Sequence, residues 1–428
     1  MAKVIDFTKY TSAAGSNSGP KHRVDIKEQL QNARAYMQSG NTKDALAAFA
    51  IVLESDPDNF DALFYTGNIY FNNNQMARAI PLYDRIITCY PSYSYLPYLN
   101  YLRALLKCRK FDKMLEVAGT SLKYFPFQAE PLKLIGISRF QLGDLNESLK
   151  YLKKYLERDN FDKESLYFVA QIYQQLEIYD AAIMYYRRLL KMIPDDNELL
   201  KIIGILYLRR NDHANATRFL ERNFLSTHDF NVGKELSWLY TVSGRLEEAE
   251  QTLLKLLKTS PHDLDLLVSV GEVYLGLNRL AEARKFLKNA FVLNSEHPVV
   301  NLKLAACCAR LGDTGQAVYL YKKVIAVQPE FFDPYFDLYN LLEDSGDIKE
   351  LHKLKLTILS RKWELPEYYL LLARICLADG KNDETIRFLK KALKFEGDFR
   401  QRELAEDLSA RLCKPARRSR KKKPEQQK

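Results

Sequence analysis

Apolar residues along this chain recur at helical spacing, in blocks with a period of about 34 residues. The block FDALFYTGNIYFNNNQMARAIPLYDRIITCYP starts at residue 60. Within it Leu63, Tyr70 and Tyr83 hold positions 4, 11 and 24, and the small residues Gly67 and Ala79 hold positions 8 and 20. Apolar residues three, four or seven positions apart share one face of a helix. Each block therefore predicts two amphipathic helices, and a proline at position 32 ends the second because it cannot continue the hydrogen-bond ladder.

Proline marks this repeat along most of the chain. Six prolines are spaced by about one period or a multiple of it: Pro57, Pro91, Pro126, Pro194, Pro261 and Pro329. Eleven repeats follow, called repeats 1 to 11, which start near residues 26, 60, 94, 129, 163, 197, 230, 264, 298, 332 and 366. A period of this length is typical of a solenoid, in which stacked neighbours bury apolar faces that one repeat cannot bury alone.

The same residue types return at the same positions in later repeats. Small residues at positions 8 and 20 let the two helices of a repeat approach closely, and larger residues at positions 4, 11 and 24 fill the space between them. Recurring residues include Ala170, Tyr173, Ala182, Tyr186, Gly204, Tyr207, Ala216, Leu236, Tyr240, Ala249, Gly271, Tyr274, Ala283 and Leu287. This pattern resembles the tetratricopeptide repeat, W-x2-L-G-x2-Y, then A-x3-F, then P. The resemblance implies an all-α fold, a right-handed superhelical α-solenoid of helix–turn–helix repeats with a C-terminal capping helix.

Four repeats depart from the pattern, and we expect their helix pairs to splay or to shift in register. The departures are Pro97 at position 4 and a one-residue insertion before Pro126 in repeat 3, Arg139 and Ser148 at positions 11 and 20 in repeat 4, and Leu351 and Thr385 at position 20 in repeats 10 and 11.

The periodicity also sets the domain organisation. A length of 428 residues would by itself suggest two or three domains, but the repeats favour one elongated array. We predict a disordered N-terminal segment at 1–25, a solenoid of about eleven repeats at 26–398, a capping helix at 399–413 and a disordered basic tail at 414–428. The terminal repeats of a solenoid need a cap with a polar outer side to remain soluble.

Most of the net charge of +10 lies in the tail. The last fifteen residues carry a charge of +7, which leaves about +3 for the rest of the chain. The basic residues of interest are Lys414, Arg417, Arg418, Arg420, Lys421, Lys422 and Lys423. Such a run can bind nucleic acid or another anionic surface through counterion release, act as a nuclear import signal, or simply keep the protein soluble. The tail has no aromatic residue, so any nucleic-acid binding through it would not read sequence.

No pattern in the chain is typical of a catalytic or metal site. The six histidines are spread along the sequence, and the motifs CxxC, GxxxxGK[ST], GxGxxG, GxSxG and HExxH are absent. We therefore expect no enzymatic activity, no cofactor and no metal. Cys307 and Cys308 hold positions 10 and 11 of a first helix, which favours a core position for at least Cys308.

The sequence also bears on the compartment. No apolar run approaches the roughly 18 residues of a membrane helix, and the first residues lack the apolar stretch of a secretory signal. Six cysteines in this length are too few for a disulfide scaffold. These features predict a cytoplasmic protein, with nuclear localisation as the alternative in a eukaryotic host.

The resemblance implies that the first helix of each repeat lines a concave groove, chiefly through positions 2, 5, 9, 12 and 13. The candidate partner-binding residues are Phe64, Asn68, Phe71, Tyr95, Tyr98, Tyr167, Gln171, Gln174, Lys201, Lys234 and Trp238. The early part of this groove is aromatic, and rigid aromatic side chains are typical anchors for a bound peptide or helix. The alternative is that Phe71, Tyr95 and Tyr98 pack between repeats, since repeat 3 is irregular.

Two specialised binding modes of the family are not matched. A carboxylate clamp for chaperone tails needs Lys at position 5 of its first repeat, where repeat 2 has Phe64. An asparagine ladder at position 6, found in a sugar-transferase subfamily, is replaced by residues such as Tyr65, Phe168 and Ile202. No subfamily is therefore assigned.

Three hypotheses for function follow. The first is a non-catalytic adaptor or scaffold that binds peptide or helical segments of one or more partner proteins in its groove. The second is a ribonucleoprotein or DNA-associated assembly factor whose basic tail contacts nucleic acid while the repeats dock a protein. The third is a scaffold that assembles with itself through the irregular repeats 3 and 10. The sequence leaves the partner, the process and the oligomeric state open.

Overall fold

The structure is a computed structural model, and it describes residues 25–395, 399 and 401–412. The predicted N-terminal segment, except for Asp25, and the basic tail lie outside the described residues. Within the described part of the chain every regular element is an α-helix, and there are twenty-three of them.

The helices alternate between the first and second helix of each repeat, called A and B helices. The A helices are α1 (Ile26–Gln38), α3 (Phe60–Asn72), α5 (Leu96–Lys107), α7 (Glu130–Gln141), α9 (Lys163–Gln175), α11 (Asn197–Arg209), α13 (Phe230–Val242), α15 (Leu264–Gly276), α17 (Pro298–Arg310), α19 (Asp333–Ser345) and α21 (Pro366–Ala378). The B helices are α2 (Thr42–Ser55), α4 (Met76–Cys89), α6 (Phe111–Tyr124), α8 (Leu145–Leu156), α10 (Tyr179–Met192), α12 (His213–Thr227), α14 (Leu246–Thr259), α16 (Leu280–Leu293), α18 (Thr314–Val327), α20 (Ile348–Leu359) and α22 (Asn382–Ala392). The last helix, α23 (Arg402–Leu412), follows them.

The repeat starts predicted from the sequence agree with the observed A helices. Eight A helices begin at the predicted residue, and α5, α7 and α19 begin one or two residues later. These three carry Pro97, Pro131 and Pro334 in their first turn. Proline is well suited to that position because its fixed φ fits a helix and its missing N–H is not needed there.

The one-residue insertion of repeat 3, which the sequence places before Pro126, lies in the loop before α5. The turn between the A and B helices holds a residue with positive φ, which is Asn74 in repeat 2 and Arg109 in repeat 3. Arg109 lies one residue further from Pro91 than Asn74 lies from Pro57. The position numbers along α5 are therefore one lower than the sequence pattern suggested.

A left-handed residue at this turn recurs in all eleven repeats. Six of the turns use glycine, at Gly40, Gly143, Gly244, Gly312, Gly346 and Gly380, with φ between 72 and 81°. The other five use Asn74, Arg109, Glu177, Asn211 and Asn278, with φ between 53 and 58°. This conformation reverses the chain between the two helices of a repeat, and only glycine adopts it without steric cost.

Small residues hold the two helices of a repeat close together, as the repeat pattern predicts. Ala79 and Ala182, both at position 20, are fully buried. Ser148 and Thr385 at the same position in the irregular repeats 4 and 11 are also fully buried. The Ser148 hydroxyl donates a hydrogen bond of 2.7 Å to the carbonyl of Gly136, which satisfies its polar group inside the core.

The contacts divide the chain into two compact units, Met1–Asp212 and His213–Lys428. In the first unit, the side chains of α1 to α7 share one core that includes Phe49, Tyr83 and Tyr101. In the second unit, Ala405 of α23 packs with Leu370 and Leu389 of repeat 11. The predicted C-terminal helix thus covers apolar residues of the last repeat.

Repeat 7 begins after a short connection, in keeping with the spacing of 33 residues between the predicted starts of repeats 6 and 7, near 197 and 230. Only His228 and Asp229 separate α12 from α13. His228 has a φ of 51°, and the Asp229 carboxylate accepts hydrogen bonds from the backbone N–H groups of Asn231 and Val232. This N-cap lets α13 start without the proline-containing loop that other repeats use.

Candidate functional site

The candidate site is the face formed by positions 2, 5, 9 and 12 of the A helices, called the A-helix face. Most of its charged side chains are paired with one another. Four pairs join a cation on one A helix to an acidic residue at position 2 of the next: Arg34–Asp61 (2.6 Å), Arg103–Glu130 (3.7 Å), Lys133–Glu164 (2.8 Å) and Lys234–Asp265 (3.4 Å). These pairs tie neighbouring repeats together, and one of them includes Lys234, a predicted groove residue.

Lys133 forms the most enclosed of these pairs. Its ammonium group lies 2.9 Å from a carboxylate oxygen of Asp162 and 2.8 Å from one of Glu164. Burial alone would lower the pKa of Lys133, but the two carboxylates raise it overall. Burial would likewise raise the pKa of Asp162, and the hydrogen bonds from Ser165 and Lys133 bring it below its usual value. The charged forms of Lys133 and Asp162 stabilise each other.

Asn68 is the centre of a polar network between repeats 2 and 3. Its side-chain oxygen accepts a hydrogen bond of 2.8 Å from the Tyr83 hydroxyl and one of 2.7 Å from the Asn100 amide. Asn68 therefore has a structural role that the groove prediction did not include.

The predicted aromatic residues of this face differ in accessibility. Phe64 is half-buried and stacks on Phe60 at a centroid distance of 5.8 Å. Phe71 is half-buried, and the Lys107 ammonium group lies 4.8 Å from its ring centroid. Both rings are partly covered and partly open to a partner.

Tyr98 is fully buried, so its assignment to the groove surface was wrong. Its hydroxyl donates to the Pro91 carbonyl at 3.0 Å, and its ring packs on Phe125. The reason is the insertion before α5, which places Tyr98 at position 4, the core position that Leu63 holds in repeat 2. Phe125 belongs to the same repeat as Tyr98, so the alternative that Tyr98 packs between repeats stays a prediction.

Tyr95 lies at the N-cap of α5 and is half-buried. Its ring lies against Phe125 at 5.9 Å, and its buried hydroxyl has no hydrogen-bond partner among the described residues. Burial raises the pKa of Tyr95 to about 12. This side chain therefore contributes mainly to packing.

The middle of the face is polar and half-buried. Tyr167 packs edge-on to Tyr186, and Gln174 accepts a hydrogen bond of 3.0 Å from the Tyr186 hydroxyl. Gln171 of α9 and Lys201 of α11 are also half-buried at positions of the A-helix face. These residues occupy the surface as the sequence predicts, and whether they contact a partner stays a prediction.

Trp238 is the most accessible aromatic residue among the predicted groove positions, with 48% of its surface exposed. It borders a cavity of about 80 Å³ between α13, α14 and α15. The other lining residues are Lys234, Ser237, Thr241, Leu253, Leu266, Ser269 and Glu272. The His213 imidazole lies edge-on to the indole at 5.3 Å, which restricts the ring. A held, exposed indole beside a cavity is suited to anchor an apolar group of a partner.

Sequence reasoning missed a second set of exposed aromatic residues. Tyr93, Phe127 and Phe161 follow one another at the repeat period and lie in the loops that precede α5, α7 and α9. They are 71%, 92% and 70% exposed. Their common spacing was visible in the sequence, but only the structure shows that these three side chains point away from the core.

The sequence predicts neither a membrane-spanning helix nor a metal site. The next two observations concern the described residues. No helix in the described ranges is both long and apolar enough to cross a bilayer. Within residues 25–395 and 401–412, no three His, Cys, Asp or Glu side chains are grouped so that they could hold a metal ion. Cys307 and Cys308 are both fully buried, which confirms the core position predicted for Cys308.

These observations define a class of protein, a helical-repeat protein made of stacked α-hairpins. The family model described as tetratricopeptide repeat matches residues 30–94, 133–197 and 235–298. The chain thus contains tetratricopeptide repeats in these segments, and no subfamily is established. Arrays of this kind present extended binding surfaces to other proteins.

Several curated proteins are similar to this chain in sequence. The Protein CTR9 homolog of Arabidopsis thaliana is 22% identical over 63% of this chain and 29% of its own length. The BBSome complex member BBS4 of Bos taurus is 20% identical over 54% of this chain and 44% of its length. The human Protein O-mannosyl-transferase TMTC3 is 22% identical over 52% of this chain and 26% of its length. The chain thus spans less than half the length of these relatives.

Solved structures with similar folds were also found. A tetratricopeptide repeat protein from Parabacteroides merdae aligns with a TM-score of 0.43 and 16% identity, covering 66% of this chain and 98% of that one. A chain of the APC/C hetero-tetramer Cut9-Hcn1 aligns with a TM-score of 0.42 and 11% identity, covering 91% and 97%. Yeast Tom70 aligns with a TM-score of 0.41 and 11% identity, covering 90% and 95%.

Proposed function

We propose that this protein is a non-catalytic adaptor that binds a peptide or helical segment of a partner protein on its A-helix face, with Trp238 as the main anchor. The observation that supports the proposal is the exposed indole of Trp238 beside the cavity between α13 and α15. Tryptophan is the residue type most often found at binding hot spots because it buries a large rigid surface at low entropic cost.

The surroundings of Trp238 support an apolar anchor with polar walls. Leu253 and Leu266 contribute apolar surface to the cavity. Lys234 is ion-paired with Asp265, and Glu272 with Lys303 at 2.6 Å. A bound segment that covers these side chains removes water from charges that already have an ion-pair partner. This costs less free energy than covering an unpaired charge, and so it favours binding.

The experiment compares the proteins that three full-length forms capture from the native host: the wild-type chain, Trp238→Ala and Phe127→Ala. Phe127 is the matched control, since it is an even more exposed aromatic residue that lies off the A-helix face. We expect Trp238→Ala to lose its specific partners and Phe127→Ala to retain them. Circular dichroism checks that all three remain folded. Equal capture by Trp238→Ala and the wild type would contradict the assignment of Trp238.

The nucleoprotein hypothesis rests on the basic tail, which lies outside the described residues. The same capture is therefore repeated with a chain that ends at Cys413, with nuclease, and at two salt concentrations. Binding through the tail should fall steeply with salt because it releases counterions, whereas binding through apolar anchors should fall only modestly. Loss of all captured material with the tail or with nuclease would favour the nucleoprotein hypothesis over the adaptor.

A further inference from the structure

A second cavity, of about 420 Å³, lies on the first compact unit, away from the positions that form the A-helix face. It is formed mainly by the B helix α10 and the end of α11. Its lining residues are Asp180, Ile183, Met184, Arg187, Arg188, Lys191, Tyr207 and Arg210. We call it the α10 cavity.

The α10 cavity is strongly positive. Four cationic side chains line it against a single carboxylate, that of Asp180. Arg210 neutralises this carboxylate at a distance of 2.7 Å. Three cations are then left without a carboxylate in the lining of the cavity.

One of these three cations is held in place by the protein. The Arg188 guanidinium donates a hydrogen bond of 2.9 Å to the carbonyl of Asn160 and lies over the Tyr185 ring at 5.4 Å. It therefore keeps its full charge at a fixed position beside the cavity.

The other two cations, Arg187 and Lys191, are exposed and form no ion pair with any described residue. They are four residues apart on α10, so their side chains share one face of the helix. Like charges at this spacing repel and destabilise the helix slightly. An anionic group placed between them would remove this repulsion and satisfy both donors.

The cavity also offers apolar surface. Met184, one turn before Arg187 on α10, is 51% exposed, and the buried Ile183 contributes to the lining. A flexible thioether is well suited to contact apolar side chains of different shapes. The only aromatic lining residue, Tyr207, is buried, so the cavity lacks an exposed ring on which a nucleic-acid base could stack.

We propose that the α10 cavity binds an acidic peptide segment of a partner protein. Carboxylates of the segment contact Arg187 and Lys191, and a neighbouring apolar side chain rests on Met184. The site is separate from the Trp238 site and does not depend on it. A partner could therefore be recognised through one site or through both, and the two sites can be tested independently.

The test measures fluorescence anisotropy of a labelled peptide that alternates Glu with Leu, titrated with the full-length protein at physiological salt. The charge-reversal variant is Arg187→Glu with Lys191→Glu. Its matched control is Lys255→Glu with Lys258→Glu, an exposed lysine pair on α14 of the second unit, which changes the net charge by the same amount. A peptide with Gln in place of Glu tests the need for carboxylates, and Met184→Ser tests the apolar contact.

We expect the charge reversal at Arg187 and Lys191 to weaken binding at least about tenfold, as removal of charge pairs does at other interfaces. The control pair should stay within about twofold of the wild type, and the Gln peptide should bind weakly to every form. Met184→Ser should weaken binding less than the charge reversal does. Trp238→Ala should leave binding of this peptide unchanged, which separates failure of this proposal from failure of the adaptor function.

Three results would overturn the proposal. One is an equal loss of peptide affinity in both charge-reversal variants. This result would show that only the net charge of the chain matters, to which the basic tail also contributes. Another is undetectable binding of the Glu–Leu peptide to the wild-type chain. The third is that single-stranded DNA displaces the labelled peptide as effectively as unlabelled peptide does, and that the charge reversal at Arg187 and Lys191 abolishes binding of the DNA. This result would make the cavity a nucleic-acid site.

Discussion

Gly271 in α15 and Leu287 in α16 pack so closely that a Cβ atom on residue 271 would lie 2.5 Å from Leu287 Cγ. This distance is well inside van der Waals contact, and Leu287 is fully buried. We predict that Gly271→Ala lowers the free energy of unfolding by about 1–3 kcal/mol, because overpacking a closed core forces neighbours to move. Chemical denaturation followed by circular dichroism measures the change.

The same substitution at Gly119 is the control. Gly119 lies in α6, and a Cβ atom there would meet nothing within 4 Å. Gly119→Ala should raise the free energy of unfolding by about 0.5–1 kcal/mol, since alanine loses less backbone entropy in a helix. If both substitutions raised the free energy of unfolding, helix propensity, and not the contact with Leu287, would decide the outcome at residue 271.

The turn inside each repeat provides a second prediction. Glu177 has a φ of 58°, a left-handed conformation that costs a non-glycine residue roughly 1–2 kcal/mol. Glu177→Gly should therefore raise the unfolding midpoint. Gly143, at the same position one repeat earlier, has a φ of 81° and open space around it. Gly143→Ala should lower the midpoint by strain alone, and a neutral effect of both changes would argue against a strained turn.

The Lys133 ion pair provides a third prediction. Lys133 and Asp162 have side chains that are only 11% and 18% exposed. Lys133→Met should lower the free energy of unfolding by roughly 1–3 kcal/mol, because it leaves a largely buried carboxylate without its cation. Adding Asp162→Asn should restore part of the loss, and this double-mutant cycle isolates the pair.

The comparison for Lys133 is Lys234, which pairs with Asp265 at the equivalent place in the second unit. That pair is longer, at 3.4 Å, and its side chains are 34% and 75% exposed. Solvent screens such a pair, so Lys234→Met should cost less than about 1 kcal/mol. Losses of equal size at Lys133 and Lys234 would contradict the role assigned to burial.

The buried tyrosines predict a loss of stability at high pH. Burial raises the pKa of Tyr98 to about 12, and burial together with Glu250 raises that of Tyr274 to about 12. In the unfolded chain a tyrosine ionises near pH 10. The folded protein thus holds these protons more tightly, and the free energy of unfolding should fall as the pH rises from about 10 to 12.

Ultraviolet absorbance of tyrosinate, recorded together with circular dichroism, tests this prediction. A group of tyrosines should ionise late and in one step, when the helices unfold. The same titration in denaturant should show gradual ionisation near pH 10. Gradual ionisation of all tyrosines in the folded protein, with no loss of helix, would contradict the proposed burial.

Much of the fold could be predicted from the residues alone. The separation of Leu63, Gly67, Tyr70 and Ala79 is set by the geometry of one helix pair, and it identifies that pair wherever it recurs. A repeat makes its main contacts within itself and with its neighbours, so local spacing carries most of the information. At position 20 it is the small volume of the side chain that matters, so the fully buried Ser148 preserves the packing where alanine is missing.

The candidate site could be predicted only in part. Trp238 was placed on the A-helix face by counting positions, and the structure leaves it exposed there. Tyr98 was misplaced because a single inserted residue rotates every later side chain of its helix by about 100°. Counting positions cannot show on which side of α5 the insertion falls, since both choices leave the prolines at the same spacing.

The sequence by itself determined the helices, their number per repeat and the small residues that join them, because those features depend on spacing within a single repeat. The tertiary structure alone decided which charges are free. Lys133 meets Glu164 across the boundary between two repeats, whereas Arg187 and Lys191 on α10 have no carboxylate to meet among the described residues. That difference depends on how successive helices are offset when they pack, which the spacing within a single repeat does not show.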